Sequence, residues 1–160
     1  MKTLAIVAAI ALSLLPLIPL GAQGRGPPLR VRGRQSLAFN TLLPGLPELV
    51  PRTDVARSGQ LEIRGRKNTQ VMLQFLLPTE MTGPGGAILP LAFGSDDAGF
   101  ASSRQRGSQV GFDPHAPFTA GLPQNGRGFV FIGGTAQPLP NQRAGSYSAT
   151  VTLIVADPGT

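Results

Sequence analysis

The sequence predicts an all-β domain that follows an amino-terminal export signal, and three observations lead to this prediction. Residues 145–155 alternate apolar and polar side chains with the period of a half-buried strand. Earlier in the chain, short apolar runs are separated by turns rich in glycine and proline, of which there are 21 and 16. No helical stripe follows residue 24. About seven or eight short strands at such spacing are typical of an immunoglobulin-like antiparallel β-sandwich.

Residues 1–24 are predicted to be a signal peptide. Lys2 supplies a positive charge, and an apolar run extends from residue 4 to residue 20. Pro16 and Pro19 interrupt this run, whereas a membrane-spanning helix needs about 20 apolar residues in succession. Residues 21–24 then supply the small residues that a signal peptidase accepts. We therefore expect export to the periplasm, the cell surface or the medium, with no membrane span after the signal is removed.

Residues 25–160 have the length of one domain and are expected to form a single β-sandwich. The chain contains no cysteine, so no thiol is present for a lipid anchor, a disulfide or a metal. Packing and sheet hydrogen bonds must then stabilise this secreted domain without disulfides.

The strands expected from the pattern are short and follow one another closely. They are centred on residues 28–34, 36–43, 59–65, 71–77, 88–93, 129–132, 135–139 and 145–155, and residues 109–112 are a further, weakly patterned candidate. Residues 46–57 contain two prolines and are expected to form a loop or an irregular edge. The Asn125-Gly126 pair predicts a turn.

The first of these segments, residues 28–34, fits either an edge strand or a donor strand. Its arginines on one face protect an edge from stray pairing. A donor strand would instead complete the sheet of a neighbouring subunit. Because Gly33 interrupts the apolar pattern, we expect the segment to be the first strand of its own domain. The apolar candidates for donation are Leu29, Val31, Leu37 and Phe39.

Two motifs near the ends of the mature chain resemble those of a known family. The opening motif spans residues 37–45, with Asn40 where the family usually has glycine, and the closing motif spans residues 132–153. Both are similar to the bacterial domain of unknown function 4402 family. Its members are exported and look distantly like spore-coat-U and archaic chaperone–usher pilin subunits. The resemblance implies the fold and export, and it implies no catalytic residue.

Within the closing motif, four residues have expected structural roles. Gly133 and Gly134 let the chain leave a strand in a conformation that other residues avoid. Gly145 turns the chain into the last strand. Tyr147 is expected to bury its ring and to direct its hydroxyl to a loop carbonyl, as tyrosine corners do in sandwiches.

Catalytic and metal-binding chemistry is not expected. His115 is the single histidine, and Asp113 beside it does not by itself make a catalytic triad. One histidine without cysteine is too few ligands for zinc. Asp96 and Asp97 are adjacent, which fits a turn better than a calcium site. We expect no enzyme activity and no cofactor.

We therefore expect an exported, non-catalytic structural or adhesive envelope protein, coat- or pilin-subunit-like, whose partners are further copies of itself or other envelope proteins. The alternative is a stand-alone secreted module that binds an anionic polymer, such as a polysaccharide, because the net charge is +6. No nucleic-acid motif is present, so nucleic acid is not expected as a partner. One continuous basic face favours the alternative, whereas scattered arginines favour edge protection. The candidate residues are Arg30, Arg32, Arg34, Arg64, Arg66 and Lys67.

Overall fold

The computed structural model of the chain describes residues 27–158 and, by their backbone alone, residues 6–15. Fourteen strands lie in this part of the chain, β1 to β14 in chain order. Their bounds are Ile6–Leu15, Arg30–Gln35, Leu37–Leu42, Glu48–Val50, Gly59–Arg64, Gln70–Leu76, Glu80–Thr82, Ile88–Ala92, Ala98–Ala101, Val110–Phe112, Phe118–Gly121, Arg127–Ile132, Gly134–Ala136 and Gly145–Ala156.

The strands form two sheets. The nine-stranded sheet has the order β11-β6-β14-β7-β8-β13-β4, and it also includes β1, which pairs with both β14 and β3. The five-stranded sheet has the order β10-β9-β12-β5-β2. Every described pairing is antiparallel except that of β1 with β14. The all-β prediction is confirmed, and the two sheets are consistent with the predicted sandwich.

The alternation of apolar residues in the sequence places one face of each long strand in the core. In β6, Val71, Leu73 and Phe75 are buried, whereas the residues between them are exposed. Leu61 and Ile63 of β5 occupy the equivalent positions in the other sheet and are fully buried. The side chains from both sheets form one apolar cluster, which drives folding because it removes this surface from water.

Two segments with alternative predictions, residues 28–34 and 46–57, both contribute edge strands to the sheets. Residues 30–35 are β2, an edge strand that pairs with β5 inside the same domain. The predicted loop at residues 46–57 contains the short strand β4, which pairs with β13.

β1 lies between β3 and β14, and we call this place in the sheet the β1 position. Its ten residues pair in parallel with residues 145–154 of β14. On the other side, β1 pairs antiparallel with β3, which has no further strand partner in the described part of the chain. The predicted signal peptide overlaps this strand, and its cleavage site lies outside the described residues. In residues 6–15 and 27–158, no helix is long and apolar enough to cross a membrane.

Candidate functional site

The outer face of the five-stranded sheet, which points away from the core, carries most of the arginines. Alternation along β5 turns Gln60, Glu62 and Arg64 outward, because Leu61 and Ile63 between them point into the core. The same alternation in β12 turns Arg127 and two phenylalanines outward. Basic and aromatic residues therefore share one surface.

Three arginines lie side by side across three neighbouring strands. Arg30 of β2 is paired with Arg64 of β5, and Arg64 is paired with Arg127 of β12. All three are exposed. Because neighbouring strands are about 4.8 Å apart, the three backbone positions span roughly 10 Å. We call this set the arginine row.

Next to the row, Glu62 is buried and pairs with two arginines. Its side chain is 1% exposed, and its carboxylate accepts hydrogen bonds from Arg34 and from the Nε of Arg64, the latter at 2.7 Å. Burial by itself raises the pKa of Glu62, but the hydrogen bonds from the two guanidiniums outweigh burial, and the net pKa lies below its usual value. Glu62 is therefore charged at neutral pH and holds Arg64 in place.

A cleft of about 340 Å³ opens at the arginine row. The turn at residues 123–126 forms one wall, since the Gly126 amide donates to the Pro123 carbonyl at 2.8 Å and Gly65 donates to the Gly126 carbonyl at 2.9 Å. Gly126 has φ of +66°, and a Cβ there would lie 2.4 Å from the Gly65 carbonyl oxygen, so the turn requires glycine. The cleft is lined by Pro27, Pro28, Arg30, Arg64, Gly65, Asn125, Gly126 and Arg127.

The other half of the outer face is covered by residues 102–109. The guanidinium of Arg104 lies 5.8 Å from the ring centre of Phe129, and that of Arg106 lies 4.9 Å from the ring centre of Phe131. Arg106 also donates to the Ser58 hydroxyl, and burial lowers its pKa. These two arginines pack over a second apolar cluster that contains both rings and shield it from solvent.

The six basic residues predicted to form a binding surface lie in different elements of the structure. Arg30, Arg32, Arg34 and Arg64 lie on β2 and β5, and the first three follow one edge strand. Arg66 and Lys67 lie in the turn between β5 and β6. Arg127 was not among the basic residues predicted from the sequence. Its position directly after the Asn125-Gly126 turn and two residues before Phe129 could have indicated that it begins a strand.

Two of the four structural residues of the closing motif, Gly145 and Tyr147, lie at the start of β14. Tyr147 is 1% exposed, and its hydroxyl donates to the Arg143 carbonyl at 2.7 Å. The Gln142 side-chain amide donates to the same hydroxyl at 2.7 Å. Gly145 has φ of +145° beside Pro84. Neither Gly133 nor Gly134 has positive φ, so the expected special backbone conformation is not what requires glycine there. Close packing requires it instead, because a Cβ at Gly133 would lie 2.4 Å from the Val50 carbonyl oxygen and one at Gly134 would lie 2.9 Å from the Phe93 ring.

The residues considered for catalysis or metal binding are engaged in local contacts. His115 is exposed, and its Nδ1 is 2.9 Å from Asp113; the backbone amide and ring of His115 lower the pKa of Asp113. Asp97 accepts a hydrogen bond from Gly94 in a turn, and Asp96 pairs with Arg52. Among residues 27–158, no three histidine or carboxylate side chains are grouped to hold a metal ion.

No protein-family model and no curated protein sequence matches the chain.

Proposed function

We propose that the protein is an exported, non-catalytic structural or adhesive component of the cell envelope, similar in role to a coat or pilin subunit. In this proposal a strand from another molecule occupies the β1 position of the exported protein. One observation carries it: the strand in that position, residues 6–15, belongs to the segment predicted to be removed on export.

The two strands beside the β1 position, β3 and β14, each form backbone hydrogen bonds with the strand that occupies it. β14 pairs with β1 along ten residues, and β3 has no other strand partner in the described part of the chain. Leu37, Phe39 and Leu42 of β3 are at most 1% exposed. A missing strand would leave two rows of backbone N–H and C=O groups unpaired, which is the template that added strands recognise.

The order of the other strands supports an immunoglobulin-like arrangement that lacks its last strand. In such sandwiches, strands A, B, E and D form one sheet and C, F and G form the other. Here β2-β5-β12-β9 are neighbours in one sheet, and β6-β14-β1 are neighbours in the other. Strands A to F then follow the chain order, and β1 takes the place of strand G from the opposite end of the chain.

Residues 27–158 offer no replacement for β1. The segment considered as a donor is already used as β2, which pairs with β5. Leu37 and Phe39 are in the core, and Leu29 and Val31 pack against it. The strand that completes an exported subunit must therefore come from outside residues 27–158, and we infer a second protein molecule.

A signal exchange tests this proposal. Residues 1–24 are replaced with an unrelated cleavable signal peptide, and the exported protein is compared with the wild type. We expect both to begin after residue 24 by intact mass and to form the same heat-labile complexes on an unboiled denaturing gel. If the wild type retains residues 6–15, and the exchanged protein unfolds, the chain completes its own sheet and the proposal is wrong.

A further inference from the structure

The arginine row is an arrangement that disfavours folding. Like charges directly opposite each other on neighbouring strands are destabilising. Arg30, Arg64 and Arg127 are paired in this way. Within residues 27–158, no carboxylate forms an ion pair with Arg30 or Arg127. An anion bound between the guanidiniums would offset their repulsion.

Protection of a sheet edge does not explain the row. Charged residues protect edges when they lie on edge strands, as Arg30 and Arg32 do on β2. Arg127 lies on β12, which is flanked by β5 and β9 inside the sheet. Its charge therefore prevents no strand pairing, and solubility alone would be served equally well by any exposed position.

The hydrogen-bonding groups of the row are arranged for oxyanions. Because the Nε of Arg64 donates to Glu62, the guanidinium is held while its two terminal amino groups have no partner among the described residues. A guanidinium presents a planar fork that matches the oxygens of sulfate or phosphate. The cleft of about 340 Å³ beside the row has room for a sugar unit that carries such a group.

We propose that the arginine row and its cleft bind a glycan that carries sulfate or phosphate groups. The row spans roughly 10 Å, which is longer than one oxyanion and fits successive charged groups of a polymer. None of the residues that line the cleft is aromatic, and Phe129 and Phe131 are buried under residues 102–109. The bases of a single-stranded nucleic acid would therefore have no ring on which to stack.

The test is a calorimetric titration of the exported protein with dextran sulfate, and in parallel with phosphomannan. We expect Arg30→Gln and Arg127→Gln each to weaken binding to the preferred glycan by roughly tenfold, because a hydrogen bond to a charged group is lost. Arg143→Gln is the matched control, since it removes the same charge from the loop between β13 and β14. It should leave the affinity nearly unchanged.

A second measurement separates binding from folding. In low salt and without glycan, Arg127→Gln should raise the melting temperature, because it removes repulsion within the row. A variant that melts higher and binds more weakly supports a binding site that is maintained at the expense of stability. An Arg127→Gln protein that melts lower assigns Arg127 to stability and overturns the inference.

Three further results would also overturn it. One is the absence of binding to both glycans, and another is an equal loss of affinity in Arg143→Gln, which would indicate general charge attraction. The third is tighter binding to an oligothymidylate than to either glycan.

The assembly state is measured separately on the same variants. Because the row lies on the five-stranded sheet and the β1 position lies in the other sheet, failure here leaves the proposed strand addition standing.

Discussion

Tyr147 connects the start of the last strand to the loop that precedes it. Its buried hydroxyl donates to the Arg143 carbonyl and accepts a hydrogen bond from Gln142. Gln142 is itself buried, and its side chain also bonds the Ile88 carbonyl at 3.0 Å and the Leu139 amide at 3.1 Å. The hydroxyl therefore belongs to a network that fixes the loop before β14.

Removing this hydroxyl should destabilise the fold. We expect Tyr147→Phe to lower the free energy of unfolding by about 1–3 kcal/mol, because the Arg143 carbonyl and the buried Gln142 amide lose a partner. Urea unfolding followed by circular dichroism measures the change. Ser146→Ala, on the exposed neighbour in the same strand, should change stability by less than about 0.5 kcal/mol. Equal stability of Tyr147→Phe and the wild type would show that the network contributes nothing.

At the residue scale, conformation could be predicted better than surface chemistry. A glycine-rich closing motif indicates special backbone angles; Gly145 has positive φ, whereas Gly133 and Gly134 do not. Asn40 also has positive φ, at 56°, a region in which asparagine is the usual substitute for glycine. The binding residues were harder to choose, because an exposed arginine has the same sequence signature whether it pairs, packs on a ring or remains available.

At the scale of strands, Glu62 links β2 to β5. It accepts hydrogen bonds from Arg34 on β2 and from Arg64 on its own strand. A buried carboxylate without both partners would be costly, so this ion pair keeps the edge strand in register. The pKa of Glu62 is lower in the folded protein than its ordinary value of 4.5.

Because the pKa of Glu62 is lowered in the folded protein, the stability of the fold should decrease in acid. The charged form of Glu62 stabilises the fold above pH 4.5, and this contribution is lost as the pH falls through the lower folded value. We expect Glu62→Gln to be less stable than the wild type by about 1–3 kcal/mol at neutral pH. The difference should shrink in acid. Thermal melts of both proteins across this range measure it, with exposed Glu80→Gln as the control. A difference that stays constant in acid would contradict this account.

Strands with a strong alternating pattern were predictable, whereas several of the short strands were not. β6 and β14 bury one face and are long enough to show the period. β4 and β7 were not predicted, since they have three residues each, too few to show any period. β12 is buried on both faces because residues 102–109 cover Phe129 and Phe131. This covering segment depends on tertiary contacts that a local pattern does not contain.

On the scale of the whole molecule, the two proposed activities use different sheets. Strand addition uses the β1 position in the nine-stranded sheet, and glycan binding uses the outer face of the five-stranded sheet. The overall charge of +6 indicated a basic surface, but only the register of β2, β5 and β12 brings Arg127 beside Arg30 and Arg64. The β1 position could not be predicted either, because its strand comes from a segment whose composition is typical of a signal peptide.

The assembly state of the protein exported from its own host tests the central claim most directly. Light scattering under native conditions, with intact mass measured on the same sample, gives both the number of subunits and the first residue. We predict chains that lack residues 6–15 and that are held in complexes, because a second molecule supplies the strand between β3 and β14. A stable monomer without residues 6–15 would contradict the account, since its β3 and β14 edges would then be unpaired in a folded protein.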